Sequence, residues 1–282
     1  MNLLLLLALV TSPTTQGTVI LAVANMYSGP SADTDVVSQA IYGTNVDLLE
    51  EKEGWAEVRT PDDYKGWMQL TSLRRLSPGD PPYAASGQVA HVESLSANVY
   101  REPDVTKHAP VLTVPFETRL EVANESSAGE ERWLEVRLAG GGSAWVQRGD
   151  VSFDSKPLTI KQTIALAKRF LGITYLWGGT SSVGFDCSGF TQMLVRQRGI
   201  IMPRDADLQA AWRGVVSVKR KKLKPGDLLY FGSSPEHITH TGMFIGHGRF
   251  IHDTTYEHPG VQISRLKDPY WSKLLVACRR LK

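Results

Sequence analysis

Cysteine is scarce in this chain, with two in 282 residues, Cys187 and Cys278. A disulfide framework is therefore excluded, and an apolar core must hold the fold. Close metal-ligand pairs are missing too: neither Cys-x-x-Cys nor His-Glu-x-x-His occurs, which removes the usual zinc signatures, and no metal or other cofactor is expected. Charge of one sign is also absent. The 31 Lys and Arg nearly balance 29 Asp and Glu, a formal net charge of +2, so nucleic acid is not an indicated partner. The apolar run Met1 to Val10 is too short to anchor a mature protein in a bilayer. Followed by the small polar spacer Thr11 to Gly17, it reads as an export signal over residues 1–17, although no Lys or Arg precedes it. An exported, monomeric protein with no stable membrane span is the expectation.

What the chain does have is an internal repeat. Ala24-Asn-Met-Tyr-Ser-Gly-Pro30 answers to Ala97-Asn-Val-Tyr-Arg-Glu-Pro103, and Trp55-Ala-Glu-Val58 to Trp133-Leu-Glu-Val136. Gly66-Trp67 answers to Ala144-Trp145, so both tryptophan pairs have the same spacing. Short alternating segments such as Arg119-Leu-Glu-Val122, broken by Gly, Pro, Asn and Asp, predict two small barrels of five or six strands. Residues 18–77 are the first copy. Residues 78–155 hold the proline-rich linker Pro78-Gly-Asp-Pro-Pro82 and the second.

Residues 156–282 read differently, as helices first and strands afterwards, an α+β layer fold. Thr159-Ile-Lys-Gln162 is a capping box, and Ile160, Ile164, Ala167 and Leu171 predict one buried helix face. Further on, a glycine-rich loop runs through Phe185-Asp186-Cys187-Ser188-Gly189 into an apolar helix. A cysteine in the first turn of a helix faces unpaired N–H groups and the positive end of the macrodipole, which favour a thiolate. The same N–H groups can hold an oxyanion, with the Tyr175 hydroxyl as a second donor. Downstream, Thr241 to Ile245 and Arg249 to Asp253 predict a hairpin around Gly246-His247-Gly248. His240 and His252 then share a face as diagonal neighbours, giving nucleophile, base and orienting group in the order Cys, His, His. Cys278, inside Leu274-Leu-Val-Ala-Cys278, reads as a core residue.

These motifs resemble the NlpC-type papain-like cysteine peptidases of bacterial cell walls. The resemblance covers roughly the last 125 residues and rests on Tyr175-x-Trp177-Gly-Gly, Asp186-Cys187-Ser-Gly-Phe190, His240-x-Gly242 and Gly248-Arg-Phe-Ile-His252. It implies Cys187 as nucleophile, His240 as general base, His252 as the residue fixing its tautomer, and Tyr175 at the oxyanion. The repeats in turn resemble bacterial SH3-like domains. Together the resemblances imply a hydrolase cutting between γ-D-glutamate and the diamino acid of peptidoglycan stem peptides with a free N-terminal L-alanine. Rival readings are a lytic enzyme acting on intact cross-linked wall, and a wall-binding protein with little turnover.

The resemblance also suggests that Tyr64 reaches from the first repeat into the peptidase cleft, closing one end against long polymers. A free amino terminus then needs an acid, for which Asp186, Asp205 and Asp62-Asp63 are candidates. Trp177, Asp186 and Ser188 are expected to line the substrate site, Asp186 also as a helix cap. Arg204 suits a substrate carboxylate. The basic run Lys219-Arg-Lys-Lys222 with Lys224 reads as a solvated face able to touch anionic wall polymers.

Overall fold

The computed structural model describes residues 15–123, 132–154 and 156–282. Most of the expected export signal lies outside them, but its last three residues do not. Thr15, Gln16 and Gly17 pair with Leu48, Asp47 and Val46, so the first unit begins before the expected boundary.

That unit has seven strands: β1 (Thr15–Val19), β2 (Val23–Tyr27), β3 (Val36–Ile41), β4 (Asn45–Lys52), β5 (Trp55–Arg59), β6 (Lys65–Gln69) and β7 (Leu73–Arg75). They form one sheet in the order β3-β2-β6-β5-β4-β1-β7. The second unit comprises β8 (Val89–Val92), β9 (Ser96–Tyr100), β10 (Leu112–Pro115), β11 (Arg119–Val122), β12 (Trp133–Arg137), β13 (Ser143–Gln147) and β14 (Val151–Ser152). Its order, β10-β9-β13-β12-β11-β8-β14, is the first order shifted by seven. The expected five or six strands become seven because a short last strand, β7 or β14, returns to pair beside β1 or β8.

The tryptophan spacing of the repeat has a physical basis in this register. Glu57 faces Trp67 and Glu135 faces Trp145 across equivalent strand pairs. Tyr27 meets Trp55 edge to face at 5.3 Å, and Tyr100 meets Trp133 at 5.6 Å; each contact contributes about 0.5–1.5 kcal/mol beyond area burial. The small alternate residues fill the interior instead. Ala56, Val58 and Met68 are fully buried in the first sheet, and Leu134, Val136 and Val146 in the second. The proline-rich linker is docked rather than loose. Its Tyr83 is buried, donates from its hydroxyl to the Arg137 carbonyl at 2.7 Å, and receives a T-shaped contact from Tyr42.

The third unit starts with α1 (Ile160–Arg169), whose capping box forms as expected. Its buried face is rotated from the predicted one, to Thr163, Leu166, Ala167 and Phe170, leaving Leu171 exposed. The hairpin β15 (Thr180–Ser181) and β16 (Gly184–Phe185) leads into α2 (Cys187–Arg196), followed by α3 (Ala206–Ala211). Then come β17 (Val215–Ser217), β18 (Leu228–Ser234), β19 (His237–Gly246), β20 (Arg249–Thr254), β21 (Gly260–Arg265), α4 (Pro269–Leu274) and β22 (Leu275–Leu281). The antiparallel sheet runs β17-β22-β18-β19-β20-β21. Phe170, Phe185 and Phe190 meet edge to face at 5.4–6.2 Å and pack with Met243, Ile251 and Val261 of the sheet. A second cluster holds Phe231, Phe250, Trp271 and, as the sequence suggested, Cys278.

Both N-terminal units dock on this domain through specific polar contacts. Thr180 bonds to Gln39, Gln192 donates to Asp62 at 2.8 Å, and Arg196 grips Glu117 through two nitrogens. Phe116 of the second unit enters the third unit's core against Phe170. These contacts fix the N-terminal units relative to α2.

Candidate active site

Asp186 caps α2, accepting from the Gly189 N–H at 2.7 Å through one oxygen and from Gly178 N–H at 3.0 Å through the other. This places Cys187 at the first helical position, 8% exposed. α2 packs on β19 and β20, and the Cys187 thiol lies within hydrogen-bond reach of the Thr241 N–H, one residue from His240.

The β19–β20 hairpin forms with a tighter turn than expected. Gly246 pairs with Arg249, and His247 and Gly248 both take positive φ, 51° and 69°, as the two central residues of the turn. A register shift between Phe244 and Gly246 keeps Met243 opposite Ile251. The two-residue turn alone would have put His240 and His252 on opposite faces; the register shift restores the expected parity, and they stand diagonally on one face. His240 Nε2 lies 2.7 Å from His252 Nδ1, and His252 Nε2 lies 3.0 Å from Ser264 Oγ. With His240 Nε2 engaged, Nδ1 is the ring nitrogen left to accept a proton. A proton on His240 Nε2 donates to His252 Nδ1, and His252 then donates from Nε2 to Ser264. Ser264 orients the His252 ring, and because its hydroxyl can donate or accept it serves either tautomer of the chain. It is a member of the chain that sequence reading missed, because nothing local marks a serine on a later strand. Trp271 was missed likewise; its ring packs 5.0 Å from His240 and 4.7 Å from His252.

Gly242 makes this pairing sterically feasible. A Cβ there would lie 2.8 Å from the His252 Cβ and 2.9 Å from the Ile251 carbonyl. Gly242→Ala is expected to displace His252 and to lower kcat at least tenfold while leaving the fold intact, which turnover assays alongside circular dichroism would check. Unchanged kcat would mean that the two rings tolerate the displacement.

Burial sets the resting protonation. The Cys187 thiol is pushed up to about 12, by desolvation first and then by the Asp186 carboxylate. Desolvation pushes His240 down to about 3, and His252 is also lowered. The sequence suggested an easily formed thiolate; burial works against it, raising the thiol and lowering the imidazoles, so a neutral thiol beside a neutral imidazole is the expected resting pair. A depressed His240 pKa means that the base-competent neutral ring persists as pH falls. The acid limb of kcat/KM is accordingly expected well below 6.5. A limb near 6.5, or an ultraviolet thiolate band at pH 7, would contradict this.

The remaining expected residues divide. Tyr175 is half-buried, bridged to Phe185, and raised by burial and by the nearby Cys187, as a residue beside the sulfur must be. Trp177 is 70% exposed beside this loop. Tyr64, on the turn before β6, faces Asp205 at the start of α3. Burial and then Asp205 push the Tyr64 phenol up to about 12, while burial raises the Asp205 carboxyl. Asp62 is turned elsewhere, to Gln192 and Thr60.

Arg204 corrects the sequence reading. It is 2% exposed, and its fork is filled by both oxygens of Asp186 at 3.0 and 2.6 Å, by Ser188 Oγ at 2.7 Å and by Ser38 Oγ of the first unit at 3.1 Å. Four of its five N–H donors are taken and the group is buried, which closes it to a substrate carboxylate, and Asp186 and Ser188 are occupied by the same network. A carboxylate buried to hold a helix end needs a countercharge, and Arg204 supplies it. Asp253 is another buried acid. Neither oxygen has a hydrogen-bond partner among the described residues, and burial pushes it up to about 8.

Residues 172–280 match the profile of the NlpC/P60 family, and residues 26–73 that of the bacterial dipeptidyl-peptidase SH3 domain. A γ-D-glutamyl-L-lysine dipeptidyl-peptidase of Bacillus cereus is 31% identical over 86% of this chain and 74% of its own length. One of Bacillus subtilis is 28% identical over 89% and 83%. The crystal structure of an NlpC/P60 family protein from Bacillus cereus superposes with a TM-score of 0.81 at 25% identity, covering 94% of this chain and 99% of that one.

Proposed function

The chain belongs to the NlpC/P60 family, and from that premise we propose that it is a cysteine peptidase hydrolysing the γ-D-glutamyl to diamino acid bond of stem peptides with a free N-terminal L-alanine. The observation that carries this reading is the Cys187 thiol beside β19, one residue from an imidazole held by His252 and Ser264. Cys187 Sγ attacks the γ-carbonyl of D-glutamate while its proton passes to His240 Nδ1. The oxyanion is held by the Cys187 N–H and the Tyr175 hydroxyl. His240 returns the proton to the departing amine, leaving a thioester. Water, deprotonated by His240, then releases L-Ala-γ-D-Glu and restores the thiol.

The end of the cleft supports a free-ended substrate. Tyr64 and Asp205 come from different units and meet each other; on the reading that they close one end of the cleft, a short peptide is favoured over the intact cross-linked wall. Asp205, raised by burial, gains most from a substrate ammonium. Asp205→Asn is expected to raise KM for the free tripeptide about 30- to 100-fold, the worth of a charge-assisted contact of about 2–3 kcal/mol, with kcat little changed. An equal KM would remove Asp205 from amine recognition. We also read the second sheet as a second SH3-like domain, on its identical strand order and its equivalent Tyr–Trp pair. Mass spectrometry of products from L-Ala-γ-D-Glu-diaminopimelate, its lysine analogue and their N-acetyl forms tests the reading. Cleavage of the free forms alone is expected; equal cleavage of acetylated peptide or intact wall favours the lytic alternative.

A further inference from the structure

Five cations and a histidine remain that neither the core nor the proposed chemistry uses. Arg220 and Lys221 come from the basic run, His247 and Arg249 from the β19–β20 turn, and Arg265 and Lys267 from the end of β21. They line one open groove of about 710 Å³. All six are exposed. No carboxylate lines the groove, and none of the six is ion-paired among the described residues. Of the carboxylates near in sequence, Asp227 is engaged with Arg280, Asp268 caps α4, and Asp253 is fully buried.

Arg249 and Arg265 stand directly opposite each other in the β20–β21 register. Like charges in that position destabilise a sheet, and no acid among the described residues is ion-paired with either. The imbalance is regional, since residues 219–282 hold twelve Lys and Arg against five Asp and Glu in a chain whose net charge is only +2. The groove is also braced. Arg220 Nη2 donates to the Leu266 carbonyl at 2.8 Å and to Ser272 Oγ at 3.2 Å, tying the basic run to the β21–α4 segment. Its floor is aliphatic and aromatic, made of Leu223, Phe244 and Leu266.

We propose that this groove is a docking surface for a linear polyol-phosphate polymer, with phosphodiesters on the arginines and lysines and the aliphatic backbone over the apolar floor. A concave, open, basic surface fits a strand better than a flat membrane, and of the floor residues the half-buried Leu223 is the one accessible to the polymer backbone. No exposed Phe, Tyr or Trp lines the groove, and His247 is the single exposed ring against which a nucleic-acid base could stack. The groove lies seven residues along the chain from His240 to His247, about 23 Å at ~3.3 Å per residue. Docking there leaves the peptidase cleft open and raises the local concentration of enzyme where such a polymer is displayed.

The test is direct binding of a glycerol-phosphate polymer to the full chain, compared with Arg249→Gln/Arg265→Gln. The double variant is expected to bind at least tenfold more weakly, with a shallower dependence of affinity on salt, and to hydrolyse the free tripeptide as the parent does. A second pair, Lys221→Gln/Lys267→Gln, lies outside the paired strands and repeats the test without touching the sheet. Equal polymer affinity in parent and both variants overturns the proposal. So does tighter binding, at equal phosphate, to phosphatidylglycerol vesicles or to a single-stranded oligonucleotide. Binding is read without turnover, so its failure is separable from failure of the peptidase reading.

Discussion

Cys187→Ala is expected to reduce turnover of the free tripeptide by a factor of about 10⁴ or more, with the fold retained. The size follows from the role: without sulfur there is no acyl intermediate, and the remaining N–H groups and Tyr175 can stabilise only direct attack by water. The fold should survive because the thiol is one small group at a helix end held by Asp186, and Asp186 does not depend on it. Cys278→Ala provides the internal control. That thiol sits in the Phe231 cluster with its pKa raised by burial, so its removal should cost stability, with activity retained. Activity persisting in Cys187→Ala, measured by product mass spectrometry, would reject the nucleophile.

The second large effect concerns the ion pair beneath the cysteine. Arg204→Met leaves the Asp186 carboxylate buried, with its two N–H donors but without its countercharge. An uncompensated buried charge costs about 3–5 kcal/mol, visible as a lower urea midpoint. Turnover should fall as well, because the same carboxylate sets the first turn of α2 and hence the position of Cys187. Asp186→Asn with Arg204→Met should cost less than the two single changes added together, since neither residue is then a stranded charge. A destabilisation by Arg204→Met below about 1 kcal/mol would show that Asp186 is held by its N–H donors alone.

The repeat was legible because aromatic landmarks at fixed spacing mark equivalent strand pairs, and Trp67 and Trp145 occupy the same register. The histidine pair was legible because the expected three-residue loop gives His240 and His252 the same face; the actual two-residue turn reaches the same result only through the register shift between Phe244 and Gly246. Other features depend on distant contacts that leave no local pattern. Ser264 reaches His252 from the next strand, and Ser38 reaches Arg204 across 166 positions. Arg204 was misread for this reason. An arginine in a loop looks exposed until the tertiary fold closes over it, and only the buried carboxylate of Asp186 explains its place. The burial that opposes a thiolate at Cys187 was hidden similarly, since a helix end is visible in sequence and the packing of α2 against the sheet is not.

The central claim is that Cys187 carries the acyl group in a covalent intermediate. A substrate with L-Ala-γ-D-Glu joined to a good leaving group should acylate faster than water can deacylate. Rapid acid quenching and peptide mapping by mass spectrometry should then find one L-Ala-γ-D-Glu thioester on Cys187, absent from Cys187→Ala. An adduct on Cys278 instead, or product release with no acyl group on Cys187 at any quench time, would contradict the account.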